Sequence, residues 1–341
     1  MYLSVILNNK LQYRLIHNEA SEDYILSSIE KYNNWEPNVT RKFLLILEKA
    51  SEYNTTGLVL DVGACFGYYS ILAAKLGFKT YAFEPNPKTA ELLEKNVSLN
   101  QLNHLVKIQK NALGSTTRKQ TLSVPEKNFG AGNFFGSGEV NYEIEVNVLD
   151  DFELPEKILI FKIDVEGHEP DVLKGSLNTI LELKAEFIFL EISPKFNAIK
   201  EIINTIFIPL WKAEYQSFDI GLQDTGVLSE AIEVFQLFDK EHLLTEYLLN
   251  KGQTNFIFIR RNGDNETLDA HSFKQDIITT WTNDYIQKLL KDTIQDHKMI
   301  GELKLLIETL KKENHKLFED LKNAAEFQKE LLEVINHNPK N

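Results

Sequence analysis

Cysteine is almost absent from this chain. One residue in 341, Cys65, excludes an internal disulfide and suits a reducing compartment. Basic residues are the minority: 37 Lys and Arg face 50 Asp and Glu, for a formal net charge of −13. A nucleic-acid partner calls for a basic stripe, and an anionic membrane surface would repel this charge. No apolar run approaches the roughly 18 residues of a membrane span. The opening, MYLSVILNNKLQYRL, lacks the apolar core and small-residue cleavage site of a secretory leader. These absences predict a soluble, cytoplasmic protein with no nucleic-acid partner and no membrane span. Apolar residues are plentiful at 43%, enough for a domain of about 200–250 residues plus an appendage.

The most informative stretch is LVLDVGACFGYYS at 58–70. An apolar run feeds Asp61, a tight loop follows with Gly63, Ala64, Phe66 and Gly67, and an amphipathic stretch comes next. This reads as strand, small-residue turn and helix. Glycine lets a backbone approach a ligand, and the opening amides of the helix face the same space. The next strand, 79–83, ends on Glu84 and Pro85. That lies about 20 residues on, where nucleotide-binding sheets place the carboxylate that grips a ribose diol. The dinucleotide fingerprint G-x-G-x-x-G is missing, and Asp61 would repel a pyrophosphate. A carboxylate before the loop suits a cationic or amine-bearing ligand. A nucleoside carrying an amino acid and a sulfonium, S-adenosylmethionine, wants both features. The alternative is an ordinary βαβ turn with no ligand.

Residues 2–7 and 11–16 read as a hairpin, 22–32 as a helix, and 39–53 as a second helix capped by Asn38. From residue 58, β and α alternate: strands at 58–61, 79–83 and 105–109, helices at 68–77 and 87–99. Residues 118–124 and 142–148 alternate with period two and predict an antiparallel pair, while the glycine- and phenylalanine-rich 128–138 predicts a mobile loop that could close over an acceptor. The run ILIFKI at 158–163 looks like a strand buried on both faces. Further strands are expected at 187–190, 212–219 and 255–260. The pattern predicts a doubly wound α/β sheet. Asp61, Glu84, Asp164 and Glu191 then end four strands on the edge where such sheets bind ligands.

The C-terminal part differs. Ile300, Ile307, Asn314, Leu321, Gln328 and Ile335 occupy one heptad position, and Leu303, Leu310, Leu317, Ala324 and Leu331 another. This predicts a coiled-coil helix over 285–336 that joins copies of the chain into a homo-oligomer, with Asn314 setting register. One long helix packed on its own domain is the alternative. The expected organisation is an N-terminal hairpin and helices at 1–56, a catalytic domain at 57–262, a linker at 263–284, then the coil.

WEP at 35–37, LDVGACFGYYS at 60–70, YAFEPNP at 81–87, NALG at 111–114, LDDF at 149–152 and KIDVEGHEPDVLKGS at 162–176 together resemble the FkbM family of S-adenosylmethionine-dependent methyltransferases. Cys65 departs from the family's usual Asn. The resemblance implies a class I, Rossmann-like, mostly parallel seven-stranded sheet. It also implies methyl transfer to a hydroxyl, most often of a sugar or a polyketide-type alcohol. Asp61, Gly63, Ala64, Phe66 and Gly67 match the loop around the amino-acid part of the cofactor. Glu84 and Pro85 match the ribose segment, Asn111 and Ala112 the adenine segment, and Glu36 the site mouth. Asp164, Glu166 and His168 match the place where cofactor and acceptor meet.

An alcohol must lose its proton as the new bond forms, so His168 or Glu166 is expected as general base. Each also has a structural reading, as a helix-start residue or a charge favoured by the helix dipole. A divalent metal on Asp164, Glu166 and Glu191 is conceivable from the oxygen ligands, although no metal is expected. The acceptor is a small molecule or glycan. Methylation of a polyketide or lipid alcohol, and a non-catalytic coiled-coil scaffold, are the alternatives.

Overall fold

The computed structural model describes residues 2–7, 11–16, 24–126, 128–136, 138–193, 198–221, 236–238, 244–245, 247–249, 253–261, 272–274 and 276–281. The chain divides into two compact units, Met1–Phe273 and Lys274–Asn341. Of the second unit only residues 274 and 276–281 are described, and they are helical. The heptads of 285–336 lie outside the described residues.

The first unit begins with strands β1 (Tyr2–Leu7) and β2 (Leu11–Ile16), an antiparallel hairpin with Tyr2 opposite Ile16. Helices α1 (Tyr24–Tyr32) and α2 (Pro37–Glu52) follow. Asn38 does not cap α2. Pro37 takes the first helical position, where its missing N–H costs nothing, and the cap falls on Glu36. Asn38 lies inside the helix and its Nδ2 donates to the Ile220 carbonyl at 3.2 Å.

The α/β part then runs β3 (Leu58–Val62), α3 (Tyr68–Lys75), β4 (Thr80–Phe83), α4 (Pro87–Leu99) and β5 (Val106–Gln109). Next come β6 (Ala112–Leu113), β7 (Arg118–Val124), β8 (Val140–Asn147) and β9 (Ile158–Ile163). Helices α5 (Glu169–Lys174) and α6 (Leu177–Glu182) precede β10 (Phe187–Ile192), β11 (Tyr215–Asp219), β12 (Gln236–Phe238) and β13 (Thr254–Arg260).

The main sheet has the order β12-β11-β13-β10-β9-β3-β4-β5. From β5 to β10 neighbouring strands are parallel, while β13 runs antiparallel to both its neighbours. Seven of these strands match expectation; the short β12 is an eighth, antiparallel to β11. The order reverses between β3 and β9, and a crevice opens at such a switch point. Every residue of β3, β9 and β10 is buried, as strands covered on both faces must be. Each large apolar side chain removed from water there contributes roughly 1.5–3 kcal/mol, so the strand ends that carry the site are firmly held.

The pair expected at 118–124 and 142–148 forms, and β6 joins it to make a separate three-stranded sheet. The loop expected to be free over 128–138 is anchored. Ser123 and Asn133 exchange two backbone hydrogen bonds of 2.9 Å, and 129–131 form a single 3₁₀ turn. Asp150 of the LDDF segment serves the fold, accepting from the Thr179 amide and hydroxyl at 2.8 Å each at the start of α6.

Candidate active site

The loops after β3 and β9 touch at the switch point. The Asp164 amide donates to the Val62 carbonyl at 3.0 Å, and a Cβ added at Gly63 would meet the Asp164 carbonyl oxygen at 1.8 Å. Gly63 also has φ +83°, so glycine is required twice over. Gly67, at φ +95°, caps α3, and a Cβ there would strike Leu93 at 2.4 Å. The glycines of the loop thus shape it first and admit a ligand second. Two cavities flank this contact, and both are lined by Gly63, Cys65, Gly130, Asp164 and Glu166.

The first cavity, of ≈ 590 Å³, is lined by Glu84, Pro85, Asn111, Ala112, Phe134 and His168, among others. Glu84 is 7% exposed and braces both neighbouring loops. Its Oε2 accepts from the Cys65 amide at 2.7 Å, and its Oε1 from the Asn86 amide at 2.8 Å and the Thr89 hydroxyl at 2.9 Å. Burial pushes its pKa up to about 7, against three hydrogen bonds that favour the ionised form.

The second cavity, of ≈ 850 Å³, is lined by Trp35, Glu36, Tyr69, Lys162, Glu191 and Gln253 besides the shared residues. The WEP segment is fixed here by hydroxyls. Tyr69 donates to Glu36 Oε2 at 2.9 Å, Tyr68 to Asn34 Oδ1 at 3.0 Å, and Thr40 to the Trp35 carbonyl at 2.6 Å. Glu36, Cys65 and Glu166 all adopt left-handed backbone, with φ of 42°, 50° and 54°. Each such conformation costs about 1–3 kcal/mol and survives only where its surroundings hold it. For Glu166 the brace is Glu169, a buried carboxylate whose Oε1 accepts from the amides of Val165 and Gly167 at 3.1 Å each. Burial raises Glu169 to about 7.

Glu191 is buried, and its Oε1 accepts from Gln253 Nε2 at 2.6 Å. Desolvation first, then the carboxylates of Asp164, Glu36, Glu166 and Glu169, hold its pKa well above the usual carboxylate range. A carboxyl raised in the folded state stabilises fully below its unfolded value of about 4.3, and that stability is lost as pH rises toward the folded value. Glu191→Gln removes this dependence and keeps the acceptor for Gln253. Its melting temperature is therefore expected to exceed that of the native protein at pH 8, by roughly 2–4 °C for each kcal/mol relieved. The gap should narrow toward pH 5. A thermal scan at both pH values checks this, and a variant less stable at pH 8 contradicts it.

Most sequence-predicted site residues converge. Glu84, Pro85, Asn111 and Ala112 line the first cavity, Glu36, Ala64 and Phe66 the second, and Gly63, Asp164 and Glu166 both. Asp61 and Gly67 line neither. Asp61 lies beneath the loop, 1% exposed, with Oδ2 taking the Ser70 hydroxyl at 2.5 Å and Oδ1 buried without a hydrogen-bond partner.

His168, expected as a candidate general base, is held by its neighbours. It lines only the first cavity, and its Nε2 lies 2.9 Å from Asp171 and 3.3 Å from Arg118. Its ring packs edge-on against Phe134 at 4.6 Å. Burial lowers its pKa despite Asp171. It braces the cavity wall. Among the described residues no group of three His, Cys, Asp or Glu is arranged to hold an ion.

Lys162, Tyr69 and Gln253 are site residues that the sequence reading missed. The one polar residue in the ILIFKI strand was the available signal for Lys162.

The strand order and the crevice at its reversal define a class I methyltransferase-like fold. Residues 61–217 match the family described as the methyltransferase FkbM domain. Similar solved structures include the O-methyltransferase TomG from Streptomyces achromogenes, described as involved in tomaymycin synthesis and in complex with SAM. It is 11% identical over 72% of this chain and 92% of its own, with TM-score 0.39. A putative O-methyltransferase from Klebsiella pneumoniae is 10% identical, covering 73% and 93%, with TM-score 0.37. A SAM-dependent methyltransferase from Agrobacterium tumefaciens is 9% identical, covering 76% and 70%, with TM-score 0.43. No curated protein matches the chain significantly. Among the described residues no helix is long and apolar enough to cross a membrane.

Proposed function

We propose that this protein is an O-methyltransferase that uses S-adenosylmethionine to methylate a hydroxyl of a sugar or glycan. The observation that carries the reading is the junction of two cavities at Asp164 and Glu166. The residues fit the cofactor. Glu84 offers a buried carboxylate to a ribose diol, Asn111 and Ala112 flank the space for adenine, and Gly63 leaves room where any side chain would collide. When bound, S-adenosylmethionine supplies an electrophilic methyl group. Transfer is an in-line displacement, so holding the acceptor in line supplies much of the acceleration.

In this proposal the acceptor enters the part of the second cavity beside Glu166 and Glu191. Trp35 offers a ring face, and Glu166 and Glu191 offer hydrogen-bonding groups to several hydroxyls. Glu166 takes the acceptor proton, because Asp164 is engaged by Lys162 at 2.7 Å and burial favours the neutral form of Glu191. In its neutral form Glu191 donates a hydrogen bond to an oxygen of the acceptor. A lipid or polyketide alcohol would leave these polar groups unpaired, which costs about 1–3 kcal/mol each.

Incubation with methyl-labelled S-adenosylmethionine and a panel of neutral saccharides, polyketide alcohols and long-chain alcohols tests this. Labelled saccharide is expected. Label confined to the other alcohols would replace the acceptor class, and a protein that binds cofactor but labels nothing would favour the scaffold. The heptads of 285–336 are proposed to join copies of the chain, so truncation near Asn283 should reduce the mass in light scattering to that of one chain. An unchanged number of chains contradicts that.

A further inference from the structure

Lys162 is 4% exposed, yet it lines the second cavity. It projects from the end of a strand whose other residues are all apolar and buried. An ammonium has three donors. One goes to Asp164 Oδ2 at 2.7 Å, and the nitrogen sits 4.7 Å from the centre of the Tyr69 ring. No further side-chain hydrogen bond engages it among the described residues.

Burying a lysine is costly unless its charge is answered. Asp164, Glu36 and Asp61 answer it and hold its pKa above the ordinary lysine value, so it remains a cation and cannot serve as a base. Among the described residues of this cavity's wall it is the sole cationic side chain, beside Glu36, Asp164, Glu166 and Glu191.

S-adenosylmethionine presents the complementary set. It bears two cationic centres, the sulfonium and the α-ammonium, and a single anion, the carboxylate. We infer that Lys162 receives the carboxylate of the cofactor's amino-acid end, while Glu36, across the same cavity and held by the Tyr69 hydroxyl, receives the α-ammonium. The Tyr69 ring fixes the lysine and its hydroxyl fixes the glutamate, so one side chain sets both halves of a zwitterion receptor. Like-charge repulsion keeps the sulfonium away from Lys162 and toward the carboxylates near Glu166. That direction carries the methyl group to the acceptor.

This inference rests on S-adenosylmethionine as the cofactor, and its test separates the two. Calorimetry compares S-adenosylhomocysteine with 5′-methylthioadenosine, the same nucleoside thioether without an amino-acid end. In the native protein S-adenosylhomocysteine should bind far more tightly. In Lys162→Met that preference should shrink about 10–100-fold, the range of a lost hydrogen bond to a charged group. Lys162→Arg should keep most of it. Unchanged affinity for 5′-methylthioadenosine shows that the variants fold. The carboxamide of S-adenosylhomocysteine, titrated into the native protein, should lose a similar factor with no substitution at all. An unchanged preference in Lys162→Met, an equal loss of both ligands, or full affinity for the carboxamide overturns the inference. A native protein that binds neither nucleoside overturns the cofactor reading as well.

Discussion

Replacing Glu166 with glutamine is expected to lower turnover by about 10²–10⁴-fold, the usual contribution of a positioned general base. Affinity for S-adenosylhomocysteine should stay within about threefold, because a base acts on the acceptor and not on the cofactor. The geometry singles out this residue. Glu166 lines both cavities, and its left-handed backbone at φ 54° is held by Glu169 through the amides on either side of it. Asp164 and Glu191 share the neighbourhood, but one is paired with Lys162, and in the other burial favours the neutral form. His168→Ala should cost far less in turnover, since its ring nitrogen is tied to Asp171 and Arg118. Single-turnover rates with saturating cofactor separate the two variants. Normal turnover in Glu166→Gln, or a greater loss in His168→Ala, would return the base to the histidine.

Glu84→Ala is expected to weaken S-adenosylhomocysteine by at least an order of magnitude, since a charge-assisted bond to a diol is worth roughly 1.5–3 kcal/mol. The alanine variant also strands the amides of Cys65 and Asn86 and the hydroxyl of Thr89, so its melting temperature should fall. Glu84→Gln separates these effects, because it keeps the shape and loses the charge. The pH dependence carries a sign. Burial places Glu84 at about 7, and the ionised form is the better acceptor for a diol. Affinity should therefore fall as pH drops through 7 in the native protein and stay flatter in Glu84→Gln. Equal affinity across native and variant proteins would mean that the ribose lies elsewhere.

The sequence was most legible where one physical cause acted alone. The strand–glycine–helix unit at 58–70 could be read because Gly63 and Gly67 are demanded by backbone geometry that no other residue tolerates well. Glu84 could be read because strand length and sheet spacing fix where the next strand ends. Residues set by tertiary contacts were harder. Lys162 sits in an apolar run, and only the fold shows that Glu36 and Asp61, from two other elements, join Asp164 around it. Asn38 had the chemistry of a cap, but the neighbouring Pro37 moved the helix start by two residues. His168 had the chemistry of a base, and Asp171, one turn on, engages its ring nitrogen. The 128–138 segment had the composition of a free loop, yet Asn133 pairs with Ser123. Lys162 and the 128–138 segment were decided by partners from other parts of the chain, Asn38 and His168 by close neighbours.

The most direct test of the whole reading is a calorimetric titration of the native protein with S-adenosylhomocysteine, set beside NAD under the same conditions. Saturable binding of S-adenosylhomocysteine at one site per chain, with NAD weak or silent, is the predicted result. Absence of S-adenosylhomocysteine binding, or tighter binding of NAD, would contradict it.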